Sequence, residues 1–303
     1  MSRTVLTIDG NRTLRDGHPF LVLGVRCSNA AVSDAATDEL VANLDAFASY
    51  GVNAISVYVM GSRFGDVRGY REDGSLDPAY MARMARAIEA ADARGMVVLL
   101  GCLYWGNSRA KWESWTQADA EAAVANTARW VAERDWRHVF LDTDNEGMAH
   151  AQGVLDDAAL IRAAKAAAPD VLVGSNYRGD PPPEADLSIH FANRVAGRPY
   201  IETEGSPSNI PGGYWGPYSK REGFYGYLNV GVYTPEMREN QLALTREHLA
   251  RGEGYMLAST WLQAPPPQGP NHRPGGYGTE EDPGVRWWLE EVRASLRPWT
   301  AEP

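Results

Sequence analysis

The chain of 303 residues has few of the residue patterns that mark several common classes of protein. It contains only two cysteines, Cys27 and Cys102, and both lie in apolar runs, so we interpret them as buried thiols. Its six histidines form no HxH or HExxH pair, and the pattern therefore predicts no metal site. No GxGxxG or GxxxxGK[ST] loop follows a strand-like segment, which removes the best support for a nucleotide-binding fold and predicts no cofactor.

An excess of basic residues is also missing. The formal net charge is −10, so the chain has no global positive field for a phosphate backbone, and we expect no nucleic-acid partner. No segment approaches the roughly 18 consecutive apolar residues of a membrane span. The N-terminus lacks the apolar stretch of a signal peptide, so we expect a cytoplasmic protein, or a secreted one if a leader has been removed. No feature sets an oligomeric state.

What the sequence does contain is a regular alternation of strand-like and helix-like segments. Helical periodicity and capping residues predict helices near 37–50, 77–95, 118–133, 158–168, 234–251 and 285–296. Strand-like runs are counted at 21–28, 53–60, 96–105, 138–144, 171–176, 186–191, 199–204 and 255–261. Repeated strand–helix units indicate a parallel sheet, and eight of them suggest a closed barrel.

The predicted fold is therefore α/β, a (β/α)8 TIM barrel formed by residues 1–303 as a single domain. Residues 4–23, with turn pairs Asp9-Gly10 and Asp16-Gly17, predict an N-terminal hairpin before the first barrel strand. Only short connections separate strands five, six and seven, so the helices after strands five and six are expected to be reduced. Two long loops, 205–233 and 262–283, would lie at the C-terminal face of the barrel.

Two short acidic runs close predicted strands four and seven. One is Asp144-Asn145-Glu146, and the other is Thr203-Glu204-Gly205. Carboxyl ends of barrel strands meet at one face, so Glu146 and Glu204 are expected to lie near one another. Paired carboxylates at such a face suit cleavage of a glycosidic bond, where one acts as acid and base and the other as nucleophile or base.

Strand alternation predicts which acidic side chains point into the barrel. Asp142, Asp144 and Glu146 share one face of strand four, while Glu202 and Glu204 share a face of strand seven that we expect to be the inner one. Buried carboxylates need a cation or a proton, and Arg26 on strand one is the natural internal partner. We expect Asp142 or Glu202 to be structural, although the nucleophile could be Glu202 rather than Glu204.

These residues resemble the clan A retaining glycoside hydrolases, the barrel superfamily that includes many cellulases, mannanases and β-galactosidases. Asn145-Glu146 is similar to the Asn-Glu pair that ends strand four in that clan. Pro199 to Glu204 is similar to its Pro-x-x-x-Thr-Glu run on strand seven, although Gly205 stands where an aromatic residue is usual. Ile189-His190-Phe191 resembles the His pattern of strand six, and Trp261 the Trp that ends strand eight.

The resemblance implies a glycosidase that cleaves a β-linked carbohydrate with retention, with Glu146 as acid/base and Glu204 as nucleophile. It implies no cofactor and no metal. The residues expected to bind the sugar are Asn145, Trp261, His190, Asn176, Tyr58, Trp105 and Trp215. The last of these lies in the aromatic loop 205–233.

Other readings of the same residues remain open. A carbohydrate-binding barrel without activity would keep the fold and lose only the chemistry. A metal-dependent barrel hydrolase would need clustered histidine and carboxylate ligands, which the sequence spacing does not indicate. A lyase or a transglycosylase would use the same scaffold. The sugar, the linkage and the choice between endo and exo cleavage are not specified by the sequence.

Overall fold

The structure is a computed structural model that describes residues 2–60, 68–104, 115–148, 155–191, 193–203, 233–259, 262, 273–279, 281–282 and 284–300. It begins with a small antiparallel sheet formed by β1 (Leu6–Asp9), β2 (Arg12–Arg15) and β3 (His18–Pro19). The turn between β1 and β2 contains Gly10 with φ 60°, a left-handed conformation that glycine adopts without a side-chain clash. The predicted hairpin is confirmed.

Eight parallel strands then close into a barrel, as predicted. They are β4 (Leu23–Arg26), β5 (Ala54–Tyr58), β6 (Val97–Leu103), β7 (Val139–Asp144), β8 (Leu172–Ser175), β9 (Leu187–Ile189), β10 (Tyr200–Glu202) and β11 (Gly254–Leu257). Neighbouring strands pair in sequence order, and β11 pairs with β4 to close the ring. The carboxyl ends of all eight strands therefore meet at one face.

Helices follow the strands where the capping signals predicted them. They are α1 (Asp34–Ser49), α2 (Pro78–Asp92), α3 (Gln117–Glu133), α4 (Asp157–Ala167), α5 (Pro235–Ala250) and α6 (Arg286–Thr300). The side chains of Asp77 and Thr234 each accept a hydrogen bond from the third residue beyond them, which starts α2 and α5. Within the described residues, none of the helices has the length and apolar composition to cross a membrane.

The connections around β9 are short, as expected. No helix forms among the described residues of 176–186 or 190–199. The chain instead passes from β8 to β9 and from β9 to β10 through turns, and Gly197 takes a positive φ of 79° in the second of them. This places β9 and its following residues beside β10 with little intervening structure.

Apolar side chains form two layers on either side of the barrel wall. The inner cluster includes Ala54, Leu99, Phe140, Ile189 and Ile201. Leu6 of the hairpin joins it and covers the N-terminal end of the barrel, with Ile8 and Phe20 packed against it. The outer cluster, which includes Val25, Val57, Leu141, Tyr255 and Leu257, packs against the helices. Successive strand residues alternate between these two layers. A strand residue in the inner cluster therefore points into the barrel, and one in the outer cluster points toward the helices.

Among the described residues, polar side chains of the inner layer include Ser56 in the middle of β5 and Arg26, Asp142 and Asp144 toward the carboxyl ends of β4 and β7. Arg26 pairs in register with Ser56 at the inner face, and Asp142 pairs with Gly174. Arg26, Asp142 and Asp144 are at most 2% exposed. Charged groups so deeply buried require hydrogen-bond partners, and their contacts organise the C-terminal face.

Candidate active site

Glu146 lies immediately beyond β7, in a single 3₁₀ turn formed by Asn145–Gly147. Its φ of 57° is left-handed, which is unusual for a residue with a side chain and costs of the order of 1–3 kcal/mol. Gly147 follows with φ 54°, and a Cβ atom there would lie 2.4 Å from Cβ of Tyr177. The chain therefore turns sharply at the barrel rim, and the Glu146 side chain remains 12% exposed.

Asn145 is held from below by two side chains of neighbouring strands. Its Oδ1 accepts hydrogen bonds from Arg26 Nη2 at 2.8 Å and from the Tyr58 hydroxyl at 2.9 Å. Its Nδ2 donates to Glu146 Oε2 at 3.3 Å. Because both acceptor positions of the amide oxygen are filled, the amide is oriented with its nitrogen toward the Glu146 carboxyl.

The buried Arg26 is connected to the interior acid Asp142 through Tyr58. The Tyr58 hydroxyl lies 3.1 Å from Arg26 Nη2 and 3.0 Å from Asp142 Oδ2. Asn176 Nδ2 also donates to this carboxyl oxygen, at 2.8 Å, and Arg26 Nη1 lies 3.5 Å from the carbonyl oxygen of Thr203. The expected neutralisation of interior acids by Arg26 is thus indirect for Asp142, with a phenol between the two charges.

His190 lies between two carboxylates at the end of β9. Its Nδ1 is 2.5 Å from Glu202 Oε1, and its Nε2 is 3.9 Å from Glu146 Oε1. His190 and Phe191 both have left-handed backbones, with φ of 57° and 58°. Alternation along β9 puts Ile189 in the inner layer and would direct His190 toward the helices. His190 lies beyond the last residue of β9 with a left-handed backbone, and its ring reaches both Glu202 and Glu146.

The inward direction predicted for Glu202 is wrong. In β10 it is Ile201 that joins the inner layer, and Glu202 pairs in register with Tyr255, which contacts Trp288 of α6. Glu202 is 4% exposed on the helix-facing side of the barrel wall. The prediction assigned Glu202 to the inner face because it lies two residues before Glu204, which was expected to point into the site. The register of β10 with β9 and β11 determines the direction of the Glu202 side chain independently of Glu204.

This chain matches known proteins in a comparison with solved structures. No family model and no curated protein matches the sequence. Among solved structures, a glycoside hydrolase of family 5 from Bacteroides vulgatus has a TM-score of 0.61 at 15% identity, over 98% of this chain and 70% of that one. The fold resembles that of family 5 glycoside hydrolases.

Two further solved structures extend this likeness. A β-mannanase from the blue mussel Mytilus edulis has a TM-score of 0.54 at 12% identity, covering 98% of this chain and 97% of its own. A hyperthermostable endocellulase has a TM-score of 0.59 at 14% identity, covering 97% and 99%. The resemblance to cellulase-like and mannanase-like glycoside hydrolases that the motifs indicated is therefore confirmed for the fold.

The closed barrel brings together five of the residues predicted for the site. Glu146 and His190 lie at the rim, each with 12% of its side chain exposed, while Asn145, Tyr58 and Asn176 lie beneath them, at most 2% exposed. Four other predicted residues lie outside the described residues, namely Glu204, Trp105, Trp215 and Trp261. So does the loop 205–232 that follows Glu204. Their roles stay predictions.

Sequence reasoning missed two aromatic residues that support the site. Tyr104 follows β6 and packs edge-to-face on Tyr58, with ring centroids 5.8 Å apart. Tyr200 donates from its hydroxyl to Glu202 Oε2 at 2.6 Å. For Tyr104 the position just after a barrel strand was an available signal. The sequence carried no such signal for the contact of Tyr200 with Glu202, which depends on both side chains lying on the same side of β10.

Metal ligands were considered separately because a metal-dependent hydrolase was one alternative. In the part of the chain that the structure describes, no group of three or more histidine, cysteine or acidic side chains is arranged to hold a metal ion. Cys27 and Cys102 are free and buried, as predicted, and burial raises the pKa of the Cys102 thiol to about 12. Neither thiol is therefore a ready nucleophile at neutral pH.

Proposed function

We propose that this chain is a glycoside hydrolase that cleaves a β-linked carbohydrate with retention. The observation that carries the proposal is the Asn145–Glu146 pair at the carboxyl end of β7. Asn145 is fixed by Arg26 and Tyr58, and the Glu146 carboxyl stands at the rim of the barrel. A carboxyl group held in this position by an amide is suited to exchange a proton with a bound sugar.

Glu146 acts as acid and then as base in the proposed reaction, and Glu204 acts as nucleophile. Glu146 protonates the leaving oxygen while the Glu204 carboxylate attacks the anomeric carbon, forming a glycosyl-enzyme. Glu146 then removes a proton from water, which attacks the same carbon and releases Glu204. Such a pair requires carboxyl groups about 5 Å apart, whereas an inverting pair leaves about 6.5–9.5 Å for water.

The remaining predicted residues have complementary roles. Asn145 is proposed to hold a sugar hydroxyl through its amide, which Tyr58 supports from beneath. Asn176 binds the Asp142 carboxylate that also contacts Tyr58. Trp105, Trp215 and Trp261 are proposed to stack on sugar rings, because the flat face of an indole matches the apolar face of a pyranose. The mannanase and endocellulase with similar folds make β-linked mannose and glucose oligomers the first substrates to try.

Activity of purified protein on a panel of aryl β-glycosides and β-linked oligosaccharides tests the proposal. Glu146→Gln and Glu204→Gln should each lower kcat by at least 10²-fold while the melting temperature stays near wild type. Glu133→Gln, on the exposed surface of α3, is the matched control and should retain full activity. Wild-type binding without turnover would instead favour an inactive carbohydrate-binding barrel.

Trapping with an activated 2-fluoro sugar tests the identity of the nucleophile. Fragmentation of the labelled peptide should place the covalent label on Glu204 itself, and the label should disappear in Glu204→Gln. A label on Glu202 would reverse the assignment. Loss of activity in the presence of a chelator, restored by added divalent metal, would favour the metal-dependent alternative.

A further inference from the structure

Glu202 belongs to neither proposed catalytic role, yet both of its carboxyl oxygens are engaged close to the site. Oε1 is 2.5 Å from His190 Nδ1 and accepts a hydrogen bond from the backbone nitrogen of Thr203 at 3.0 Å. Oε2 accepts from the Tyr200 hydroxyl at 2.6 Å. A carboxyl group with three hydrogen-bond partners and 4% exposure is fixed in position.

The backbone around His190 is arranged to present its ring to this carboxylate. His190 and Phe191 are successive non-glycine residues with left-handed φ, a conformation that is unfavourable for residues with a side chain. The His190 backbone nitrogen donates to the Ile201 carbonyl at 3.0 Å, and Arg178 lies over the Phe191 ring at 4.5 Å. These contacts hold a conformation that the local sequence would not adopt alone.

Contact with Glu202 determines which ring nitrogen of His190 faces Glu146. An ionised carboxylate accepts and does not donate, so Nδ1 must carry the proton in the bond to Glu202. Nε2 is then the nitrogen directed at Glu146 Oε1, 3.9 Å away. A histidine tautomer is generally set by the hydrogen bond that its other nitrogen makes.

We propose that Glu202 is a positioning residue that acts on Glu146 through His190. Glu202 lies on the helix-facing side of the barrel wall, where it fixes the Nδ1–H tautomer and the orientation of the His190 ring. The nitrogen that faces the Glu146 carboxyl at the rim is therefore the unprotonated Nε2. This inference rests on the proposed role of Glu146 as acid/base. It assigns Glu202 a function different from that of a nucleophile.

Titratable groups from the neighbouring elements surround Glu202. Tyr255 of β11 is its register partner, and burial followed by the Glu202 charge raises the pKa of that phenol. His248 of α5 stacks on Tyr200 with centroids 6.0 Å apart, and Arg194 lies over the same ring at 4.4 Å. His190 at the end of β9 is the group that connects Glu202 to the active site.

The chain offers a matched control in Glu253, which forms a similar carboxylate–histidine pair away from Glu146. Glu253 Oε2 is 2.7 Å from His248 Nδ1 and 2.8 Å from Arg194 Nη2. Burial acts to raise the pKa of Glu253, but the hydrogen bonds from Arg194 and His248 outweigh it and lower that pKa. Replacement of Glu253 therefore removes a buried carboxylate and a histidine contact while keeping Glu202, His190 and the Tyr200 hydroxyl; its connection to Glu202 runs through the Tyr200 ring, on which His248 and Arg194 pack.

Side-chain nitrogen NMR of the six histidines measures the tautomer directly, whether or not the protein is active. With ¹⁵N-histidine labelling and assignment by His190→Gln, wild-type His190 should carry a proton on Nδ1. Glu202→Met should abolish this fixed form, and Glu253→Met should leave it unchanged. A wild-type His190 protonated only on Nε2, or a Glu202→Met spectrum like wild type, would overturn the proposal.

Leaving-group dependence gives the kinetic test. Because acid catalysis matters most for poor leaving groups, Glu202→Met should lower kcat/KM roughly tenfold or more for phenyl glycosides and far less for dinitrophenyl glycosides. Glu253→Met should show no such selectivity. An equal loss on all substrates would mean a purely structural role and would refute the inference.

Tyr200→Phe keeps the test decisive if Glu202→Met fails to fold. It removes one hydrogen bond to Glu202 and retains the ring stacked on His248, so it should change the same readouts in the same direction by a smaller factor. Unchanged spectra and kinetics in Tyr200→Phe would then count against the proposal. Absence of wild-type turnover on every glycoside would refute the proposed function, whereas the NMR result would still decide the role of Glu202.

Discussion

Replacement of Arg26 by methionine tests how much the buried polar network contributes to the fold. Arg26 is 1% exposed, and its Nη2 lies 2.8 Å from Asn145 Oδ1 and 3.1 Å from the Tyr58 hydroxyl. Hydrogen bonds from a charged group contribute about 1.5–3 kcal/mol each, so loss of the two should lower the free energy of unfolding by about 3–6 kcal/mol. Unpaired interior acids would add to this loss.

Thermal and urea unfolding of Arg26→Met measure the effect, which corresponds to a decrease in Tm of roughly 5–10 °C. Arg86→Met is the control, because Arg86 also contacts carboxylates but is 46% exposed, with Nη1 2.9 Å from Asp34 Oδ1. An exposed ion pair contributes only about 0–1 kcal/mol, so the control should unfold near the wild-type temperature.

The reasoning would be refuted if Arg26→Met unfolded within about one degree of wild type, since that would mean that the hydrogen bonds of Arg26 are energetically replaceable by methionine packing. Activity provides a second readout. Without Arg26 the Asn145 amide loses one of its two fixed acceptor contacts, so kcat should decrease even at temperatures where the variant remains folded.

Other consequences of the structure are open to measurement. Gly147→Ala should lower both Tm and kcat, because its Cβ would meet Tyr177, whereas Gly252→Ala, at φ 72° with no atom within 4 Å, should show only the smaller backbone cost. The pKa of Glu253 is lowered in the folded protein, so this group stabilises the fold fully above the ordinary Glu pKa of about 4.3. That stabilisation is lost as the pH falls through the lower folded pKa, so the Tm difference between wild type and Glu253→Gln should shrink there. A Tm difference that stays constant with pH would contradict this. Burial lowers the pKa of His138, so stability should fall as the pH decreases below about 6.5, and His138→Gln should flatten this part of the Tm profile.

Local signals in the sequence were enough to predict the barrel and much of its rim. Asp77 and Thr234 start helices because a side-chain oxygen caps the backbone nitrogens within a few residues, and such contacts need no tertiary information. The count of strand–helix units predicted closure, and the short connections near β9 predicted missing helices. The Asn145–Glu146 pair was predicted for the same reason, since the end of a barrel strand lies at the C-terminal face.

The tertiary structure decided which way the side chains near the site point. Glu202 was placed inward by counting along one strand, but a shift of one residue reverses every side chain, and only pairing with β9 and β11 fixes the register. His190 lies just beyond the end of β9 with a left-handed backbone, so strand alternation does not determine where its ring points.

Contacts between residues distant in the chain were likewise invisible in the sequence. Arg26 and Tyr58 come from β4 and β5, Asn145 follows β7, and no local pattern relates the three. They meet because barrel closure brings the carboxyl ends of these strands together, and burial then requires each polar atom to find a partner among the others. The sequence by itself determined which residues reach the rim, whereas the closed barrel determined which of them touch.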